Sequence, residues 1–216
     1  MKQHLSKQWI QSFFIMLIAV LLMGFSLSLL VLTHFGTDPC SAMNYGISKL
    51  IGISFGNYQV IFNLVLLIAV ILFHRSSIGF GTLGNMFLVG YTADFFAYIW
   101  HNVCQIPQEL PFGVRVGILI PALLLFVFAA ACYMQSGQGM APYDAIPFII
   151  DEKIMEKTKG SSHFKPIRLS IDLLASLVGF FTGGEFGAIT VLMVLTLAPT
   201  VQFVGTIFQK RNAKAA

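Results

Sequence analysis

Asp38, Asn63, Asn85, Asp144 and Asp172 are polar side chains set into long apolar runs, where they can bind a ligand or pair with one another. Asp38 and Asp144 belong to two matched segments, Gly36-Thr-Asp-Pro-Cys-Ser-Ala42 and Gly139-Met-Ala-Pro-Tyr-Asp-Ala145. Both follow one frame of Gly, Pro three residues on, and Ala three residues after that. Gly36 and Gly139 let the chain turn, while Pro39 and Pro142 suit the first turn of a helix, where no amide hydrogen is needed. Asp38 stands where a capping carboxylate would accept from the free amides of that turn. Each segment therefore reads as a helix start whose exposed amides and partial positive charge can hold an anion or a polar group. The plainer reading is an ordinary interfacial loop with a capped helix. The repetition lifts the functional reading level with it.

The surroundings decide which elements hold these residues. The chain has 216 residues, of which 56% are hydrophobic and 10% charged, with 21 Phe, a net charge of +4 and a mean hydropathy of +0.80. That is too little polar surface for a soluble globule of this length. The composition predicts an all-α integral membrane protein in a lipid bilayer. The Lys and Arg residues fall in short clusters between apolar segments, where they orient helices, and nucleic-acid binding is not expected.

Six apolar segments have about the 20 residues a bilayer crossing needs: Trp9 to Thr33, Phe55 to Phe73, Thr82 to Trp100, Phe112 to Met134, Pro166 to Thr182 and Gly187 to Phe208. The first is too long for a signal peptide and lacks a small-residue cleavage site, so it reads as a retained span. Pro39 to Ile53 and Pro142 to Met155 are shorter and carry Asn44, Lys49, Asp144, Pro147 and Asp151. Fifteen residues at 1.5 Å each reach about 22 Å against a core of about 30 Å, which favours half-helices over crossings.

The positive-inside rule places Lys2, Lys7, Arg75, Lys153, Lys157, Lys159, Lys165, Arg168, Lys210, Arg211 and Lys214 inside, and Lys49 and Arg115 outside. Both termini are then cytoplasmic. Crossing by both short segments satisfies the rule equally well, so length and polarity decide for six spans. Thr82 to Asp94 aligns without gaps on Thr190 to Gln202, pairing Gly90 with Ala198 and Asp94 with Gln202. Residues 1–105 and 106–216 thus read as two copies of a three-span unit, each with a half-helix after its first span. An odd number of spans per copy inverts the second copy, a plan frequent in secondary transporters and channels.

The Gly-Thr-Asp-Pro-Cys-Ser-Ala segment, the run Gly81-Thr82-x-x-Asn85 followed by Gly90-x-x-x-Asp94, the length and the duplicated layout resemble the bacterial YczE/YitT group of multi-pass membrane proteins. The second half departs from that pattern at Gly187-Ala-Ile-Thr190 and Ala198-Pro199. The resemblance implies this fold and a bacterial cytoplasmic membrane location, and leaves the substrate open.

Intramembrane polar residues are costly and mark candidate sites. Asn85 and Asp94 are nine residues apart, about 900° around a helix, and project to opposite sides. Asp94, near the outer end, is expected to reach headgroups or water. Asp172 lies about two turns past Pro166, with Arg168 one turn earlier as its expected partner. The candidate substrate-binding set is Gly36, Asp38, Pro39, Asn63, Asn85, Gly139, Pro142, Asp144 and Asp172.

Other motifs carry less. Gly79-Phe-Gly-Thr-Leu-Gly84 has the letters of a nucleotide-binding loop without its strand and helix unit. Gly113-x-x-x-Gly117 and Gly183-x-x-x-Gly187 are expected to serve internal helix packing. His34, Cys40, His101 and Cys104 would share the outer side, but they lack the two tight pairs of a zinc site, and Cys132 reads as a packing residue. No hydrolase or phosphate-loop motif appears, so neither catalysis, cofactor nor metal is expected. The expected function is movement or binding of a small polar solute. A substrate-binding subunit of an energy-coupling transporter and a non-transporting accessory protein are the alternatives, and self-association stays open.

Overall fold

Helix α1, Lys7–Thr33, is apolar on all sides and ends where Thr33 Oγ1 turns back to the Leu30 carbonyl, followed by Gly36 at φ +103°. It opens the computed structural model, which describes residues 7–107, 109–158, 162–197 and 199. Helix α2 covers Pro39–Ile51, with Asp38 at its N-cap accepting from the Ser41 amide at 3.1 Å and Gly52 closing it in the left-handed conformation. Helix α3 covers Phe55–Phe73, and a short 3-10 turn covers Arg75–Ser77.

The next helical stretch is uneven. Helices α4, Phe80–Gly84, and α5, Gly90–Tyr98, are joined by a π turn at Asn85–Val89 and followed by another at Ile99–Val103. Then come α6, Phe112–Gln135, α7, Pro142–Thr158, α8, Phe164–Phe181, and α9, Ala188–Leu197. No strand occurs among the described residues, and the protein is all-helical.

Among these residues, α1, α3 and α6 are long and apolar enough to cross a bilayer. The other expected spans miss that standard for visible reasons: α8 carries Lys165, Arg168 and Asp172, the stretch from Phe80 is interrupted by π turns, and α9 is described only to Leu197. Large apolar side chains on α1, α3 and α6, among them Phe14, Ile18, Val65, Ile68 and Leu124, are exposed, as contact with lipid requires.

The centre is α1 against α6, where Met16, Val20, Leu27, Leu30, Phe126 and Tyr133 are buried together. Lipid offers no hydrophobic drive for helices to associate, so close approach depends on small residues. A Cβ on Gly179 of α8 would stand 2.9 Å from the Ala42 carbonyl carbon of α2, and one on Gly90 would stand 2.8 Å from Gly56 Cα on α3. Gly113 and Gly117 do not act this way: each faces open space, which corrects the expectation of internal packing there.

The two breaks are held by the same hydrogen bonds. The Thr37 amide donates to the Glu185 carbonyl at 3.0 Å and the Ile189 amide to the Phe35 carbonyl at 2.9 Å. In the other pair of segments, the Met140 amide donates to the Ser77 carbonyl at 3.0 Å and the Gly81 amide to the Gln138 carbonyl at 2.6 Å. Thr190 and Thr82 complete the match by accepting from the Gly187 amide at 3.2 Å and the Gly79 amide at 3.0 Å. Backbone that leaves helical geometry in an apolar setting thereby finds partners within the protein.

Candidate functional site

The break before α2 and the break before α7 open onto one cavity of about 550 Å³. Asp38 to Ser41 line it from the first break, and Gly139, Met140, Ala141, Tyr143 and Asp144 from the second. Gln59 and Asn63 enter from α3, Asn85 from the π turn, Phe126 and Tyr133 from α6, and Arg168 and Asp172 from α8. Of the sequence-derived set, Asp38, Pro39, Asn63, Asn85, Gly139, Asp144 and Asp172 thus meet at one place. Gly36 and Pro142 lie beside it in the chain without lining it.

The charged side of the cavity is a shared bridge. Arg168 Nε donates to Asp172 Oδ2 at 2.9 Å, the pairing its spacing predicts, and Arg168 Nη1 donates to Asp144 Oδ1 at 2.7 Å. Tyr143 Oη donates to the second oxygen of Asp172 at 2.8 Å, and the Arg168 guanidinium lies 5.2 Å from the Tyr143 ring centre. Arg168 thereby ties α8 to the first turn of α7, where Asp144 also faces the positive end of that helix.

The polar groups that Asp38 and α3 bring to the cavity are less satisfied. Asp38 uses Oδ2 to cap α2, while its Oδ1 is buried with no hydrogen-bond partner. Asn63 donates to the Gln59 carbonyl at 2.9 Å, and its Oδ1 is likewise buried and unpartnered. Gln59 in turn donates to the Asn85 carbonyl at 3.4 Å, at the start of the π turn.

Several expectations change. Asp94 does not simply reach headgroups or water: its Oδ2 accepts from the Gly56 amide at 2.9 Å, holding the free N-terminus of α3. The π turn between Asn85 and Asp94 alters the winding on which the opposite-sides reading rested. Cys40 lines the cavity, Cys104 is exposed, and His34 faces Glu185 at 3.8 Å, so the four outer-side residues do not converge. Burial raises the Glu185 carboxyl above its ordinary value, and His34 and Lys49 draw it partly back. No group of three metal-ligating side chains forms among the described residues. Gly79 and Gly81 press against the Gln138 and Gly139 backbone, which accounts for the glycines without a nucleotide.

Sequence reasoning missed Gln59, Tyr133, Tyr143 and the second partner of Arg168. Gln59 and Asn63, one turn apart on an apolar helix, were the available signal for the polar stripe on α3. The DUF6198 pattern matches residues 10–206, which is most of the chain. The chain belongs to the DUF6198 family. That family is described as one of unknown function, and both breaks and all the cavity-lining residues fall inside the matched region.

This DUF6198 member is 24% identical over 203 residues to the uncharacterized membrane protein YczE of Bacillus subtilis strain 168, covering 94% of this chain and 87% of the relative. It is 28% identical over 134 residues to YyaS of the same organism, covering 62% and 65% of the two chains. An uncharacterized protein of Haemophilus influenzae is 26% identical over 192 residues, covering 88% and 81%. No solved structure matches.

Proposed function

We propose that this protein binds and moves a small polar solute through the cavity between the two breaks. It does so as six spans built from two inverted repeats, residues 1–105 and 106–216, in the bacterial cytoplasmic membrane. The observation that carries this reading is that Asp38 to Ser41 and Gly139 to Asp144, far apart in sequence, open onto a single cavity of about 550 Å³. That volume falls within the usual range for small-molecule sites, roughly 300–1,000 Å³.

The matched hydrogen bonds support the repeats. Phe35, Thr37, Glu185 and Ile189 play the parts that Gln138, Met140, Ser77 and Gly81 play in the other pair of segments. Each break is thus fastened to the start of the last span of the other copy, and α2 packs on α8 as α7 packs on α3. Such an exchange lets one copy tilt against the other around a shared site, which is how inverted repeats alternate access.

The lining gives the proposed state a direction. The cavity extends to His74, Ser76, Phe148 and Phe164, residues beside the loops that lie in the cytoplasm in the proposed six-span topology. On this reading the cavity opens toward the cytoplasm. Lys2, Lys210, Arg211 and Lys214, on which the cytoplasmic termini rest, lie outside the described residues, as do Lys159, Ala198, Gln202 and the end of the sixth span.

No chemical step is assigned to the cavity, and the protein is read as a non-enzyme without a cofactor. Thermal-shift screening of the purified protein against ions and metabolites tests the proposal, with Ala130→Trp as the control. Ala130 lines the cavity and is buried, so an indole there would fill it. A solute that stabilises the native protein and loses that effect in a folded Ala130→Trp variant is expected. Equal stabilisation of both proteins by every hit would sink the reading.

A further inference from the structure

We propose that the solute is a protonated organic amine, its ammonium group held by Asp38 and Asn63. This rests on the solute-cavity reading and adds the chemical class.

Charge comes first. The cavity lining contains three carboxylates, Asp38, Asp144 and Asp172, against one guanidinium, Arg168. Arg168 is already bound to Asp144 at 2.7 Å and Asp172 at 2.9 Å, so its charge is answered within the protein. Among the described residues no cation pairs with Asp38. A carboxylate buried away from water without a counter-charge is costly, and a bound cation removes that cost.

Hydrogen bonding points the same way. Asp38 Oδ1 and Asn63 Oδ1 are acceptors, each on a side chain more than nine-tenths buried, and neither has a donor. An ammonium group supplies up to three donors and a positive charge together. The helix starts, which in sequence invited an anion, are occupied by the protein's own carboxylates: Asp38 caps α2, and Asp144 sits in the first turn of α7. A second anion would meet those carboxylates at close quarters.

Size and surface make the cation organic. A cavity of about 550 Å³ is far larger than a single metal ion needs, and Phe126, Tyr133, Tyr143 and Phe148 give it aromatic walls. Aromatic faces favour both an apolar body and a cation. A quaternary ammonium would satisfy the charge and leave both oxygens without donors, so a group bearing N–H is specified.

The test measures the melting temperature of the full-length protein in detergent. The probes are methylammonium, butylammonium and benzylammonium, the matched carboxylates acetate, butyrate and benzoate, neutral benzyl alcohol, and sodium alone. A saturable rise with at least one ammonium probe is expected, with none from its carboxylate or the alcohol. Asp38→Asn keeps a capping side chain and is expected to fold. It should weaken the ammonium effect at least tenfold, as should Asn63→Leu, which removes the second acceptor by an independent route.

An ammonium response unchanged in both variants overturns the proposal, as does a response to sodium alone. A response to carboxylates or alcohol that disappears in Ala130→Trp overturns the amine class while the solute cavity stands. No response to any probe, including the wider metabolite screen, overturns both readings.

Discussion

Tyr143, in the first turn of α7, donates its hydroxyl proton to Asp172 on α8 at 2.8 Å, across the cavity wall. The bond joins a residue of the second break to a carboxylate deep in a different helix. It leaves Asp172 with one oxygen for Tyr143 and one for Arg168. A phenylalanine at 143 would keep the ring and remove the donor. Tyr143→Phe is expected to lower unfolding free energy by roughly 1–3 kcal/mol, as for a buried hydrogen bond to a charged group. Denaturation in detergent measures it, and no loss would mean that Arg168 alone satisfies Asp172.

Arg168 is expected to matter more than either of its partners. Arg168→Gln leaves Asp144 and Asp172 facing each other without a cation, and breaking a buried bridge in this way costs roughly 3–5 kcal/mol. Exchanging the charges, with Asp172→Arg and Arg168→Asp, should not restore stability, because the new carboxylate at 168 would meet Asp144. Recovery in the exchanged protein would show that Asp144 contributes little to the bridge. Melting temperatures of the single and double variants decide between these outcomes.

Gly36 and Gly139 are expected to fail alike when given a side chain. They hold φ of +103° and +98°, where an L residue is strained, and their neighbours leave no room. A Cβ at Gly36 would stand 2.6 Å from the Gly187 amide nitrogen, and one at Gly139 would stand 2.5 Å from the Gly79 amide nitrogen. Gly36→Ala and Gly139→Ala should each cost more than about 1 kcal/mol. Gly113→Ala, in a helix and facing open space, should be neutral or stabilise by up to about 1 kcal/mol. Unequal losses at the two breaks would count against a shared architecture.

Local signals in the sequence account for the elements that were legible. Pro39 follows a capping Asp38, and the structure begins α2 at Pro39; α3 runs from Phe55 to Phe73 as its mainly apolar composition and length imply. The relationships that build the cavity are not local. Asp144 and Arg168 meet where α7 packs on α8, and Asp151 of α7 accepts from Ser162 Oγ and the His163 amide just before α8, each at 2.6 Å. Asp94 reads as a charge at a span end until Gly56 is seen beside it. The π turn at Asn85–Val89 leaves no periodic trace in a segment apolar on nearly every side. The same uniformity hides which faces of Gly113 and Gly117 are covered.

Glu185 gives a pH-dependent expectation. Its carboxyl is raised by burial, so the folded protein holds that proton more tightly than the unfolded chain does. The corresponding stability is fully present below the ordinary glutamate range and is lost as pH rises through the elevated value. Glu185→Gln removes the titration. It should leave stability unchanged in acid and raise it relative to the native protein near neutrality, when melting is followed across that range. A variant less stable at neutral pH would show that the contact with His34, at 3.8 Å, outweighs burial.

Labelling at Cys104 and Ser76 tests the proposed orientation and the open state together. Cys104 is exposed beyond the π turn at Ile99–Val103, in the loop that lies outside in the proposed six-span topology. Ser76 is exposed in the 3-10 turn after α3 and lines the cavity at the end assigned to the cytoplasm. A membrane-impermeant maleimide should therefore modify Cys104 in right-side-out vesicles, and Ser76→Cys, with Cys104 changed to serine, in inverted vesicles. A solute that binds in the cavity should slow the second reaction and leave the first alone, because Cys104 lies apart from the lining. Reversed sidedness for both positions would turn the protein over without disturbing its fold. Labelling of both from one face would remove the intervening crossing and, with it, the inverted arrangement.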